Sequence, residues 1–185
     1  MKLITFYPLS FVLILVLFQG SNGSDFIRES CTKASKNDPI VLFDICVRSL
    51  EAMISQSSAP PASLGDLVAM SIQMTKSNAT NIVSTISNLL KGPNNNNKFS
   101  EYAKECLEDC SELYSDSLSD LDDAIRAFES QDFNTASIKV SAAMEASVTC
   151  EDQFHDGNEE SPLTEDDNMY FELNAMSLAF IKMHQ

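Results

Sequence analysis

CLEDCSELYSDSLSDLDDAIRAFESQDFNTASIKVSAAMEASVTC, residues 106–150, reads as one long helix, a break at Ser130-Gln131-Asp132, and a second long helix. Before the break, apolar and small residues recur at Phe99, Ala103, Cys106, Cys110, Leu113, Ser117, Leu121, Ala124 and Phe128. After it they recur at Phe133, Ala136, Val140, Ala143, Ser147, Cys150 and Phe154. Steps of three and four place each set on one helix face. Helices joined by so short a turn run antiparallel, so residues equidistant from the turn lie at one height. With the turn near Gln131, Cys110 and Cys150 differ in height by about 3 Å, whereas Cys106 would miss Cys150 by about 9 Å. A disulfide needs Cα atoms within about 7 Å. Cys110 therefore pairs with Cys150, and Cys106 is left as a small buried hydrophobe on the apolar stripe.

The same period extends on both sides. Leu64, Val68, Ile72, Thr75, Ala79, Ile82, Ile86 and Leu89 form a stripe on a helix that begins as early as Pro61, after the linker Ser57-Ser58-Ala59-Pro60, and ends by Gly92-Pro93. Asn94 to Asn97 form a polar loop. Asp156-Gly157-Asn158 breaks the third long helix. Thr164 reads as the cap of a fourth, with Glu165, Asp166 and Asp167 where a helix start favours acids and Met169, Leu173, Met176 and Phe180 as its stripe. The expected fold is all-α, an up-down-up-down four-helix bundle over residues 57–185.

Residues 24–56 are expected to form an N-terminal helical hairpin stapled by Cys31 and Cys46, which bracket Asp38-Pro39. Its two short helices carry Phe26, Ile27, Leu42, Phe43, Ile45, Val47 and Leu50, too little chain to fold alone. The hairpin must lie against the bundle or project from it. Closing its 14-residue loop is worth on the order of 3 kcal/mol in the chain-entropy model.

Residues 1–23 have the pattern of a secretory signal peptide: Lys2, an apolar run from Leu9 to Phe18, and Ser21-Asn22-Gly23 as the cleavage site. The run is short of the roughly 20 apolar residues of a membrane span, and Pro8 and Ser10 interrupt it. A secreted, extracellular product is expected, with 24–185 as a single domain. Export makes Asn78-Ala79-Thr80 a usable N-glycosylation sequon at Asn78. The chain carries 12 Lys and Arg against 27 Asp and Glu, a formal charge of −15 that becomes −16 once Lys2 is removed. Such a field excludes nucleic acid and anionic membrane as partners.

Catalytic apparatus is missing. His155 and His184 sit near helix or chain ends, away from metal-ligand spacing, and no nucleophile elbow, phosphate-cradling loop or dinucleotide fingerprint occurs. No metal and no cofactor are expected. Asp116, Asp120, Asp122, Asp123, Glu159, Glu160 and Glu165 to Asp167 read as solvated faces and caps, because none has the alternating oxygens and glycine of a calcium loop. Phe99, Phe128, Phe133 and Phe154 read as core. A stapled acidic bundle without chemistry should bind, either as a secreted receptor ligand of the four-helix cytokine type or as an inhibitor of an extracellular enzyme.

Ile27-Arg28-Glu29-Ser30-Cys31, Cys110-Ser111-Glu112-Leu113-Tyr114, the block from Val140 to Phe154 and Ser161-Pro162-Leu163-Thr164 resemble the plant invertase and pectin methylesterase inhibitor family. Thr149-Cys150-Glu151-Asp152 and the absence of Trp look like its invertase-inhibitor branch that includes pollen allergens. The resemblance implies an inhibitor in the apoplast and cell wall, with disulfides Cys31–Cys46 and Cys110–Cys150, that binds one-to-one to pectin methylesterase or acid invertase. Invertase inhibitors of the family insert a Pro-Lys-Phe motif from the turn between the second and third long helices. Gln131, Asp132 and Phe133 hold those places here, so only the Phe is kept. Methylesterase inhibitors dock a helical face instead, which makes methylesterase the favoured target, although Ile138-Lys139-Val140 stands where many members carry Trp. Glu112, Asp116, Asn134 and Thr149 are further candidate contacts.

Overall fold

Ser63 starts the first long helix of the bundle, because its hydroxyl accepts the Asp66 amide while the Asp66 carboxylate accepts the Ser63 amide. This capping box sets the start at Leu64, three residues after Pro61. The computed structural model describes residues 9–56, 60–92 and 99–185, with side chains from Gly23 onward. The helices are α1 (Leu9–Asn37), α2 (Phe43–Ser55), α3 (Leu64–Lys91), α4 (Glu101–Glu129), α5 (Phe133–Asp156) and α6 (Thr164–His184). The linker at Ser57 to Ala59, the loop at Asn94 to Asn97 and the first eight residues of the leader lie outside the described residues.

Helices α3 to α6 form a closed square in which each packs on the next and α6 returns to α3. Antiparallel order is visible at the corners. Gly65 at the start of α3 approaches His184 at the end of α6 and Phe128 at the end of α4. Apolar stripes fill the centre with Leu67, Ile72, Ile82, Ile86, Leu107, Leu121, Val140, Phe154 and Phe180, all buried. Each buried side chain of that size contributes about 1.5–3 kcal/mol. On α4 the stripe is wider than its periodicity suggests, since Leu107 and Tyr114 are fully buried while Leu113 is half-buried.

Cys110 and Cys150 are bonded, with Cα atoms 5.1 Å apart, and join α4 to α5. Cys31 and Cys46 are bonded, with Cα atoms 5.8 Å apart, and join α1 to α2. Cys106 is a free thiol, 3% exposed, and burial pushes its pKa up. The N-terminal hairpin lies against the bundle, chiefly along α6 with α2 also touching α3. Ile27, Cys31, Ala34, Val41, Cys46, Val47 and Leu50 are all buried. Its first helix is not short. α1 continues back through Gly23 to Leu9, because no breaker stronger than a helical glycine interrupts the leader. No described helix is long and apolar enough to cross a membrane.

Candidate functional site

The α4–α5 turn is built by backbone hydrogen bonding. At the end of α4 the Asp132 amide donates to Ala127 O at 2.9 Å and the Gln131 amide to Phe128 O at 2.9 Å, which places Gln131 in the left-handed region at φ 62°. This is a Schellman closure with glutamine where glycine is usual. Asp132 then caps α5, its Oδ1 accepting the Thr135 amide at 3.0 Å. Hydrogen bonds from the Thr135 side chain and backbone hold the Asp132 carboxyl below the usual range.

Phe133 projects only in part from the turn. Its ring packs 5.5 Å from Phe128 and 5.3 Å from His184, and Phe128 lies 5.0 Å from His184, a triangle that seals this end of the bundle. Gln131, Asp132 and Asn134 are exposed, on a shallow depression shared with Ser137, Leu178 and Lys182. Phe133 is half-buried and also lines this depression, so part of its ring faces the same surface while the rest packs on Phe128 and His184.

Glu112, Asp116 and Thr149 are exposed within about one helical turn of each other in height, about 22–29 Å below the α4–α5 turn at 1.5 Å per residue. Glu112 and Asp116 border a groove with Leu90, Glu108, Ser111 and Ser115. The candidates thus fall into two groups on one face, Gln131, Asp132 and Asn134 at the turn and the other three around the disulfide. On α4 the face is acidic, with Glu101, Glu105, Glu108, Asp109, Glu112 and Asp116 all exposed. On α5 it carries two open apolar side chains, Ile138 at 58% and Val148 at 37% exposure. Sequence reasoning did not single these out. Their signal was present, since Ile138 and Val148 fall off the stripe of Ala136, Val140, Ala143 and Ser147.

Not every acid near this face is unpaired. Lys139 of α5 donates to Asp120 at 2.8 Å and pairs with Asp123 at 2.9 Å; Arg126 also pairs with Asp123, and Lys76 of α3 pairs with Asp122. Lys139 holds the Asp123 carboxyl low, and Asp120 first, then Asp123, hold the Lys139 ammonium up. Asp120, Asp122 and Asp123 stay partly solvated but are also paired, because the helices meet closely enough for lysines to bridge them. Asp116 remains open.

Two other expectations change at the opposite end. Leu163, not Thr164, occupies the cap position of α6, and no side chain caps it. The Thr164 hydroxyl instead donates to Glu151 Oε1 at 2.8 Å. Asp167, expected as a solvated first-turn acid, is 4% exposed and accepts the Tyr114 hydroxyl. Tyr102 closes this end from outside, donating to Gln153 O at 2.9 Å and lying over Gly157, where a Cβ would stand 2.0 Å from the ring. Asn78 lies half-buried in a groove lined by Met53, Met74, Asn81 and Met169. Among the described residues, no group of three or more His, Cys, Asp or Glu is placed to hold a metal ion.

A profile described as plant invertase/pectin methylesterase inhibitor matches residues 25–180. A Platanus acerifolia protein named "Putative invertase inhibitor" is 34% identical over 184 residues, covering 99% of this chain and 98% of its own length. Pectinesterase inhibitor 12 of Arabidopsis thaliana is 28% identical, covering 96% and 98% respectively. Among solved structures, a mutant form of a pectin methylesterase inhibitor from Arabidopsis superimposes with a TM-score of 0.66 at 19% identity, covering 82% of this chain and 96% of that one.

Proposed function

We infer, for a chain that belongs to the plant invertase/pectin methylesterase inhibitor family, that it is a secreted inhibitor whose target is a pectin methylesterase. Membership makes it a protein inhibitor and not an enzyme, and sets aside the cytokine-like receptor ligand. In this reading the exposed α4–α5 face lies one-to-one across the target's cleft and excludes substrate without covalent chemistry. A standard interface of about 800 Å² per partner is within reach of two long helices.

The observation that carries the choice is the packing of the half-buried Phe133 ring on Phe128 and His184. A turn whose only remaining aromatic is packed on Phe128 and His184, with Asp132 where a cation would stand, is poorly suited to entering a sugar-hydrolase site. The open Ile138 and Val148 of α5 and the exposed acids of α4 suit a docked helical face. The invertase reading keeps its own support in Platanus relatives named "Putative invertase inhibitor" and in the stretch Thr149-Cys150-Glu151-Asp152.

Titrating the oxidised 24–185 protein against pectin methylesterase and acid invertase at mildly acidic pH tests the assignment. Stoichiometric inhibition of the esterase is expected, weakened roughly tenfold or more by Ile138→Asp. Inhibition of invertase alone would replace the assignment, and inhibition of neither would overturn it.

Secretion rests on the leader at 1–23 and on a family match that begins at residue 25. The proposed mature start, Ser24, donates its hydroxyl to Glu51 Oε1 at 2.6 Å and so is already tied to α2. Cleavage after Gly23, delivery to the cell wall, division into a hairpin over 24–56 and a bundle over 57–185, and a glycan on Asn78 all belong to this proposal.

A further inference from the structure

Where α5 ends and α6 begins, two carboxyl groups from different helices meet inside the protein. Asp167 Oδ1 accepts the Tyr114 hydroxyl, and Glu151 Oε1 accepts the Thr164 hydroxyl at 2.8 Å. The other oxygen of each, Asp167 Oδ2 and Glu151 Oε2, is buried and has no hydrogen-bond partner. The Glu151 side chain lies in hydrogen-bonding range of Asp167. Thr164, which holds Glu151, stands one turn before Asp167 on α6, so these two buried acceptors lack a single thing, a hydrogen between them. A carboxylic acid supplies one donor and keeps its acceptor capacity.

We propose that Asp167 and Glu151 share one proton, donated from Asp167 Oδ2 to Glu151 Oε2, and that this acid pair latches α6 to α5 when protonated and releases it when the proton is lost. The surroundings favour holding the proton. Tyr114 faces the pair from α4, with Tyr170 of α6 edge-on to it at 5.0 Å and donating to Ser117 at 2.8 Å. Asp166 adds a neighbouring negative charge. Among the described residues, no lysine, arginine or histidine forms an ion pair with either carboxyl. Burial first, and then the Glu151 contact, push Asp167 up to about 8 against the opposing Tyr114 hydrogen bond.

The direction of the pH effect follows. An unfolded aspartate titrates near pH 4, at about 3.9, so between about 4 and about 8 the native chain holds a proton that the unfolded chain has lost. The contribution to stability is complete below pH 4, declines as pH rises, and is gone above about 8. The latch is therefore closed in acidic surroundings and open in alkaline ones.

The test is chemical denaturation of the oxidised 24–185 protein from pH 5 to 8.5, beside Asp167→Asn and Glu151→Gln. Either amide keeps a hydrogen on the pair at every pH. Relative to Asp167→Asn, the wild-type unfolding constant should rise about tenfold per pH unit up to about pH 7 and level off above about 8. The infrared carbonyl band of a protonated carboxylic acid should be present at pH 6 in wild type and absent in Asp167→Asn. Parallel stability curves for wild type and Asp167→Asn, or no protonated band at pH 6 in wild type, would overturn the proposal. If Asp167→Asn does not fold, Glu151→Gln decides: its amide, donating to Asp167, should end the pH-dependent decline at lower pH than in wild type, and an unchanged decline would overturn the pair.

Discussion

The two ends of the bundle solve one backbone problem with opposite chemistry. At one end α4 closes through Gln131 at φ 62°, and at the other α5 closes through Asn158 at φ 52°, with the Glu159 amide donating to Phe154 O at 2.9 Å. Neither position is glycine. Around Gln131 the end is sealed by the rings of Phe128, Phe133 and His184. Around Asn158 it is tied by Ser100 to Glu159 at 2.5 Å, by Tyr102 over Gly157, and by the acid pair beneath. Dispersion and apolar burial depend little on pH, whereas a tie made of carboxyls does. The loss of stability with rising pH is therefore concentrated at the acid-pair end, whereas the lowered Asp132 cap at the other end loses its contribution only in acid.

The strongest way to break this contrast is Phe133→Ala. Losing a half-buried ring from the sealed end should cost about 2–3 kcal/mol in denaturant unfolding, below the range for a fully buried Phe. The loss should be equal at pH 5.5 and 8.5, and esterase inhibition should survive where the protein is folded. A pH-dependent loss would show that the ends are coupled. Tyr114→Phe comes next, since it leaves Asp167 Oδ1 without its donor. A cost of about 1–2 kcal/mol is expected. Because the Tyr114 hydrogen bond holds Asp167 down, its removal should carry the pH-dependent decline further into the alkaline range. A decline ending at lower pH would contradict the latch. Smallest is Gln131→Gly, which relieves a left-handed glutamine and should stabilise by about 0.5–1 kcal/mol at either pH. A destabilised glycine variant would mean that the glutamine side chain contributes more than its backbone strain costs.

Periodicity located the four bundle helices to within a few residues, because each buries one face and the 3.6-residue repeat is written directly into the apolar positions. Cysteine heights gave the bonds that the structure forms, since a short turn fixes the register of two helices. Asp167 shows where this stops. A first-turn acid beside Glu165 and Asp166 has every local mark of a solvated helix start. Its burial depends on Tyr114, 53 residues earlier. Phe133 is similar, because periodicity marks it as apolar and only the tertiary structure brings His184 from the far end of the chain against its ring. Thr164 was a reasonable cap until Glu151 offered its hydroxyl an acceptor.

By itself the sequence determined the helix count, the disulfide register, the lone thiol and the family, all of which depend on local spacing or on short blocks of residues. Only the tertiary structure decided which acids are solvated, which carboxyls meet, and what the ring at the turn packs on. The physical reason is range. Helix period and hydrogen-bonded turns are settled within a few residues, whereas desolvation is set by whatever another helix brings alongside, and no local pattern encodes that neighbour.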